Sequence, residues 1–312
     1  MSADGMIDPV GIRQGLSRLS REAGENLTFV LERFAAQRLL YRLSRSEHRN
    51  SFALKGAMLL AIWSKTPYRA TRDIDLLGWG EDSAPRLERV FRDLCNMQIE
   101  DGLLFDCNTS TVEEIRENQE YGGFRVKLRA YLGTAWVNVQ VDVGFGDVIT
   151  PRDVEVTCPT MLDFPSAILK AYPRETVVAE KVEAIVRLGL VNGRMKDLSD
   201  LYHLSSEFSF DGQPLCQAVG RTFSRRQTEL PVGTPVGLTE RFYDDPANLR
   251  RWLGFLQAAR LDSGISLSEV CEVLGGFLLP ILTAARSGGE FDLHWKPSGP
   301  WLKRSDPAGE QA

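Results

Sequence analysis

The spacing of apolar positions divides the chain into a mixed front half and a helical back half. Over residues 7–45, Leu27, Val30, Leu31 and Phe34 recur at helical spacing and Leu39 and Leu40 extend the stripe. Asn26 stands where it would cap the second of two helices. Residues 53–63 read as another helix, approached through Lys55-Gly56. Residues 74–77 read as a short strand and 85–96 as a helix. Residues 124–132 and 136–143 alternate apolar and polar side chains and predict a β-hairpin turning at Gly133-Thr134. Arg125, Lys127 and Arg129 share one face, opposite Val126 and Leu128. In the second strand Val137, Val139, Val141 and Val143 lie on one side and Trp136, Asn138, Gln140 and Asp142 on the other, so the polar face ends in a carboxylate.

Residues 144–173 are turn-rich, and the helical period returns over 176–190, 196–205, 213–223, 248–261 and 267–285. The last stretch is rich in Gly, Pro and charge and predicts a loosely held tail. The expectation is an α+β chain without internal repeats. A lobe with a mixed sheet and N-terminal helices covers 1–173, a helical lobe covers 174–287, and a flexible tail covers 288–312.

The candidate chemistry sits in the front lobe. Lys55-Gly56-Ala57 is followed, after fifteen residues, by Asp73-Ile74-Asp75-Leu76. Two carboxylates two positions apart on a strand project to the same side. They can hold a hard divalent cation, Mg2+ or Mn2+, that also takes triphosphate oxygens. A glycine turn at a helix start lets backbone N–H groups approach phosphates. Asp142, on the later strand, is placed to supply a third carboxylate. Exposed carboxylate pairs are common, and a solvated strand end is the bland alternative. The ordered set of glycine turn, paired carboxylates and Val-Asp-Val strand favours the metal reading.

A second constellation runs from Glu175 through Lys181 to Lys196-Asp197-Leu198-Ser199-Asp200. Lys181 falls on or beside the apolar face of its helix. It must snorkel, pair with a carboxylate, or serve as a fixed cation for a phosphate. Asp197 lies near a helix start, where capping is the plain explanation.

Composition narrows the class. Of 312 residues, 43% are hydrophobic and 25% charged, which is ordinary for a globular chain. The five cysteines share no zinc or redox spacing and read as reduced thiols of a cytoplasmic protein. The three histidines lie far apart, no signal peptide is evident, and no apolar stretch looks long enough to span a bilayer, so no membrane partner is expected. Net charge is −5, which argues against wholesale polyanion binding. Arginines nevertheless crowd residues 13–49, interleaved with glutamates, and form either a solvated helix face or a phosphate-contacting surface.

The strings L-K-G-A-M-L-L, R-A-T-R-D-I-D-L, V-x-V-D-V, V-A-E-K-V-E-A-I and R-M-K-D-L-S-D-L resemble the AbiEii-type nucleotidyltransferase toxins, the toxin halves of bacterial type IV-like toxin–antitoxin and phage-defence pairs, which include the MenT group. The likeness runs from about 26 to 285 and is most specific over 69–76 and 177–201. It implies a polymerase-β-like first lobe, a helical second lobe, a nucleoside triphosphate as substrate and an antitoxin from a neighbouring gene. It also implies transfer to RNA, in some members to the 3′ CCA end of tRNA, which blocks aminoacylation. Carried over by motif, Asp73 and Asp75 are the metal pair, beside which the strand reading sets Asp142 as a third metal ligand. Lys181 is the phosphate-binding lysine and Asp197 the catalytic carboxylate of the last motif. Gly56, Thr71 and Arg72 contact the nucleotide. Ala57 departs from the usual Gly or Ser and removes a possible hydroxyl contact. Two rival readings stand beside this one: transfer to a protein hydroxyl or a small molecule, and a degenerate module that binds nucleotide without catalysis.

Overall fold

The computed structural model describes residues 8–64, 71–117, 121–261 and 264–303. The first seven residues, Arg69 and Ala70 of the D-x-D motif, and the last nine residues of the expected tail lie outside the described residues. The chain divides into two compact units. One comprises Met1–Asp147 and Val154–Ala171, the other Val148–Asp153 and Tyr172–Ala312.

The first unit begins with α1 (Pro9–Glu22) and α2 (Leu27–Arg45). Asp8 caps α1 by accepting from the Val10 and Gly11 amides, and Asn26 caps α2 by accepting from Thr28 N at 2.8 Å. There follow β1 (Phe52–Lys55), α3 (Met58–Trp63), β2 (Ile74–Gly78), α4 (Ala84–Asn96), β3 (Leu103–Glu117), β4 (Tyr121–Leu132), β5 (Ala135–Phe145), β6 (Val154–Thr157) and β7 (Ile168–Ala171). The strands form one mixed sheet in the order β3-β4-β5-β2-β1-β7-β6. Pairs β1–β7 and β2–β5 are parallel, and the remaining neighbours are antiparallel.

The hairpin forms as its alternation demands. Val137, Val139, Val141 and Val143 are all buried, and the opposite side faces outward. The helix expected over 53–63 is corrected. Phe52–Lys55 is a central strand, and only Met58–Trp63 is helical. Phe52, Ala53 and Leu54 are buried without alternation because β1 lies between β2 and β7, and a short continuous apolar run carries no period to separate strand from helix. The turn-rich reading of 144–173 missed β6 and β7, each four residues long.

The arginine-rich helices do not form one outward cationic face. Arg38 and Arg42 are 1% exposed, and both bind Asp101, which is fully buried. Arg38 Nε reaches Asp101 Oδ2 at 3.0 Å, and Arg42 reaches both carboxylate oxygens at 2.6 and 3.0 Å. Their guanidiniums lie over aromatic rings, Arg38 over Tyr41 and Phe164 and Arg42 over Phe105. Two of the arginines read as solvated or phosphate-facing are therefore core residues.

The second unit is mainly helical: α5 (Arg174–Leu188), α6 (Met195–Glu207), β8 (Phe210–Asp211), α7 (Gly212–Arg225), α8 (Glu240–Tyr243), α9 (Pro246–Ala259), α10 (Leu267–Ser287), β9 (Leu293–Trp295) and β10 (Trp301–Lys303). Helix α10 carries a capping box between Ser266 and Glu269. It is long and apolar enough to cross a membrane, contrary to the sequence reading, but half of its most apolar window is buried inside the protein. Leu274, Phe277, Leu278 and Ile281 are fully covered, as expected of a core helix. The tail expectation is also corrected for 288–303. Strand β9 pairs with β8 and β10 with β9 in a small sheet, and Trp295 is 3% exposed. Trp295 Nε1 donates to Ser205 O at 2.7 Å and Trp301 Nε1 to Phe277 O at 2.9 Å. Aromatic side chains anchor what Gly and Pro content made look loose.

Candidate active site

In the first unit, one row of charge crosses five neighbouring strands. Lys55 on β1 is the register partner of Asp75 on β2, Asp75 of Asp142 on β5, Asp142 of Arg125 on β4, and Arg125 of Glu113 on β3. Register partners project to the same face. The row thus reads cation, anion, anion, cation, anion, with two aspartates side by side at its centre. Adjacent like charges oppose each other, and the flanking cations offset this. Arg125 forms a forked pair with Asp142, Nε to Oδ1 at 2.8 Å and Nη2 to Oδ2 at 2.7 Å. Lys55 Nζ donates to Asp147 Oδ2 at 2.9 Å.

Gly56 turns the chain directly after β1 with φ +73°. A Cβ there would collide with the Asp75 carboxylate, whose Cγ would lie only 2.6 Å away. Glycine is therefore required twice, for the left-handed backbone and for the close approach of the turn to Asp75. Asp73, just before β2, is exposed and makes no hydrogen bond or ion pair among the described residues. Thr71 is half-buried. Arg72 turns to Glu32 at 3.3 Å and lies over the Phe29 ring at 4.3 Å.

Asp75 and Asp142 are thus brought together by register, Gly56 abuts Asp75, and Arg72 is engaged elsewhere. The donor set fits a hard divalent cation, being carboxylate oxygen throughout. The three aspartates are not gathered to a point. Among the described residues the group of three whose ligand atoms lie within 4.8 Å of one another is Glu47, His48 and Asp93, a surface cluster in which His48 and Asp93 are already hydrogen-bonded at 3.0 Å.

In the second unit, Lys181 on α5 is held between two carboxylates of α6. Its Nζ lies 2.7 Å from Asp197 Oδ1 and 2.8 Å from Asp200 Oδ2, and Arg194 approaches Asp197 Oδ2 at 3.3 Å. Burial lowers the affinity of the ammonium for its proton, but the two carboxylates outweigh it and hold its pKa above the ordinary value. Lys181 is therefore a fixed cation, and of the alternatives the sequence left open, pairing replaces snorkelling. Asp197 is 5% exposed and its side chain serves this cluster rather than a helix cap.

The sequence did not disclose a neighbouring network. Glu183 is fully buried and accepts from Arg187 at 2.9 Å, Arg226 at 2.9 Å and Thr228 at 2.7 Å, and Arg226 also reaches Glu180 at 2.9 Å. The i,i+3 spacing of Glu180 and Glu183 was visible, but Arg226 is too distant in sequence to be matched to them. The role of Arg125 was equally hidden, since a cross-strand ion pair needs the register.

An α+β lobe that sets adjacent carboxylates on central strands behind a glycine turn has the make-up of an enzyme acting on phosphorylated substrates. The chain belongs to the AbiEii family, described as nucleotidyl transferase AbiEii toxin of type IV toxin–antitoxin systems, whose model matches residues 38–265. It is accordingly an NTP-dependent nucleotidyltransferase toxin, and the family implies a cognate antitoxin. No curated protein matches the chain. Among solved structures, JHP933 from Helicobacter pylori is 14% identical, with 80% of this chain and 88% of that one covered and a TM-score of 0.44. A second H. pylori protein, described as a candidate nucleotidyltransferase, is 14% identical over 83% of this chain and 95% of its own, with a TM-score of 0.43.

Proposed function

We propose that the protein transfers nucleotides from a nucleoside triphosphate to the 3′ end of tRNA in the cytoplasm, using Mg2+ held by Asp73, Asp75 and Asp142. The observation that carries this is the placement of Asp75 beside Asp142 in register, with Gly56 pressed against Asp75. Bound there, the cation would neutralise charge on the triphosphate and orient it. Gly56 lets the turn approach the Asp75 carboxylate closely, and the forked pair with Arg125 fixes the orientation of Asp142. Residues 1–173 act as the polymerase-β-like nucleotidyltransferase lobe and 174–287 as the helical lobe. Lys181 as the phosphate-binding lysine and Asp197 as the catalytic carboxylate of the last motif rest on the motif resemblance. Thr71 keeps its assignment to the nucleotide, and Arg72 would have to leave Glu32 to reach it.

The test is incubation with magnesium, each triphosphate in turn and total tRNA, followed by sequencing of 3′ ends. Wild type should extend tRNA with at least one triphosphate. Asp75→Ala should lose several orders of magnitude of transfer, roughly the scale of metal-ion catalysis, while melting like wild type. Undiminished transfer by that variant refutes the metal assignment. The reading in which a protein hydroxyl or small molecule is the acceptor gains one observation, the burial of Arg38 and Arg42, which shrinks the cationic surface available to RNA. Labelling of such an acceptor while no tRNA gains a nucleotide would establish it.

A further inference from the structure

We propose that the outward side of the β4–β5 hairpin is the track for a single-stranded RNA 3′ end, with Trp136 as its stacking platform; this rests on the RNA reading above. The track starts at the Arg125–Asp142 pair and runs through the pairs Lys127–Gln140 and Arg129–Asn138 to Tyr131–Trp136. Asp142 lies six positions along the strand from Trp136, a run of about 20 Å. Its chemistry is graded, with carboxylate at one end, cations and amides between, and aromatic rings at the other.

The inner side of this hairpin already satisfies the core, because Val126, Leu128, Ala130, Val139 and Val141 are buried. Trp136 is not needed there and stands 51% exposed. The Arg129 guanidinium lies over its ring at 4.7 Å, a cation–π contact that restrains the indole. Leu104, the register neighbour of Tyr131, is 65% exposed and widens the apolar end. An indole kept in water at the end of a strip of cations and amides is the combination that binds unpaired bases. Duplex RNA offers no free base faces to such a ring, whereas a single strand does.

Lys127 supplies the phosphate contact. Its pair with Glu113 spans 3.1 Å between side chains that are 47% and 56% exposed, and such a pair is weak enough to exchange for a phosphate. Asn138 and Gln140 offer donors and acceptors to base edges or ribose hydroxyls. The strip ends where the proposed reaction takes place, so a strand with an upstream base stacked on Trp136 and led along it would bring its 3′ terminus beside Asp142.

The experiment uses the full chain, a fluorescent single-stranded RNA with a free 3′ hydroxyl, and the same RNA annealed to a blunt duplex, without triphosphate. Anisotropy should show tighter binding of the single strand. Trp136→Ala should weaken it about tenfold or more, and Trp136→Phe should keep most of the affinity. Lys127→Gln should weaken binding and lower the salt slope by about one phosphate contact. Thermal unfolding of the variants should match wild type, since both side chains are solvent-facing. Trp136→Ala binding within about twofold of wild type overturns the track, because a stacked base is worth more than that. If tRNA is extended by wild type and by Trp136→Ala alike, the track alone is wrong. If wild type binds no RNA and labels another acceptor, the RNA reading fails and the track falls with it.

Discussion

At the scale of single residues, Lys181 is where physical chemistry separates two roles. Its ammonium joins the nearly buried Asp197 and Asp200. Lys181→Met removes the cation these carboxylates share and should destabilise the protein by about 3–5 kcal/mol, the usual cost of breaking a buried ion pair from one side. Loss of activity in that variant is therefore ambiguous by itself. Lys181→Arg keeps the charge and should retain most of the melting temperature, but its planar fork presents a different geometry to a phosphate. The expected outcome is near-native stability with a raised KM for the triphosphate. A Lys181→Arg enzyme with wild-type KM and kcat would leave Lys181 with a purely structural role. The cysteines carry a related lesson. Burial pushes the thiols of Cys95, Cys158 and Cys271 up to about 12, which keeps them protonated and poor nucleophiles, a property their scattered spacing did not disclose.

At the scale of elements, α2 shows how an amphipathic pattern can mislead. Its apolar stripe was legible, and so was its cap at Asn26. Its arginines were not, because a charged side chain is assigned to water unless its buried partner is known. Asp101 is that partner, and it lies more than fifty residues away, beyond α4 and just before β3. The triad fixes α2 to the start of β3. Asp101→Ala should leave two guanidiniums buried without their carboxylate and cost about 3–5 kcal/mol, read as a lowered urea midpoint with an unchanged slope. A midpoint equal to wild type would show that the arginines find water instead.

At the scale of the whole molecule, the chain is built as two compact units, and the second is closed by residues that looked expendable. Phe277, Trp295 and Trp301 form an aromatic cluster, with ring centroids 4.8 Å apart for Phe277–Trp295 and 5.9 Å for Phe277–Trp301. Trp295→Ala should cost about 3–5 kcal/mol, as large-to-small changes of buried aromatic residues do, and lower the melting temperature. Unchanged thermal unfolding would show that the small β8-β9-β10 sheet is dispensable after all.

The sequence by itself determined the α+β class, the hairpin with its polar and apolar sides, most helices of the back half, and the residues of the carboxylate and lysine motifs. These are properties of short windows, set by side-chain period and by local order along the chain. Only the tertiary structure decided that 52–55 is a central strand, that Arg38 and Arg42 are buried on Asp101, that Lys181 is paired with Asp197 and Asp200, and that Lys55, Asp75, Asp142 and Arg125 form one row. Each of those depends on the register or packing of segments far apart in sequence. A strand's neighbours and a buried charge's partner are set by the fold, and no local window contains them.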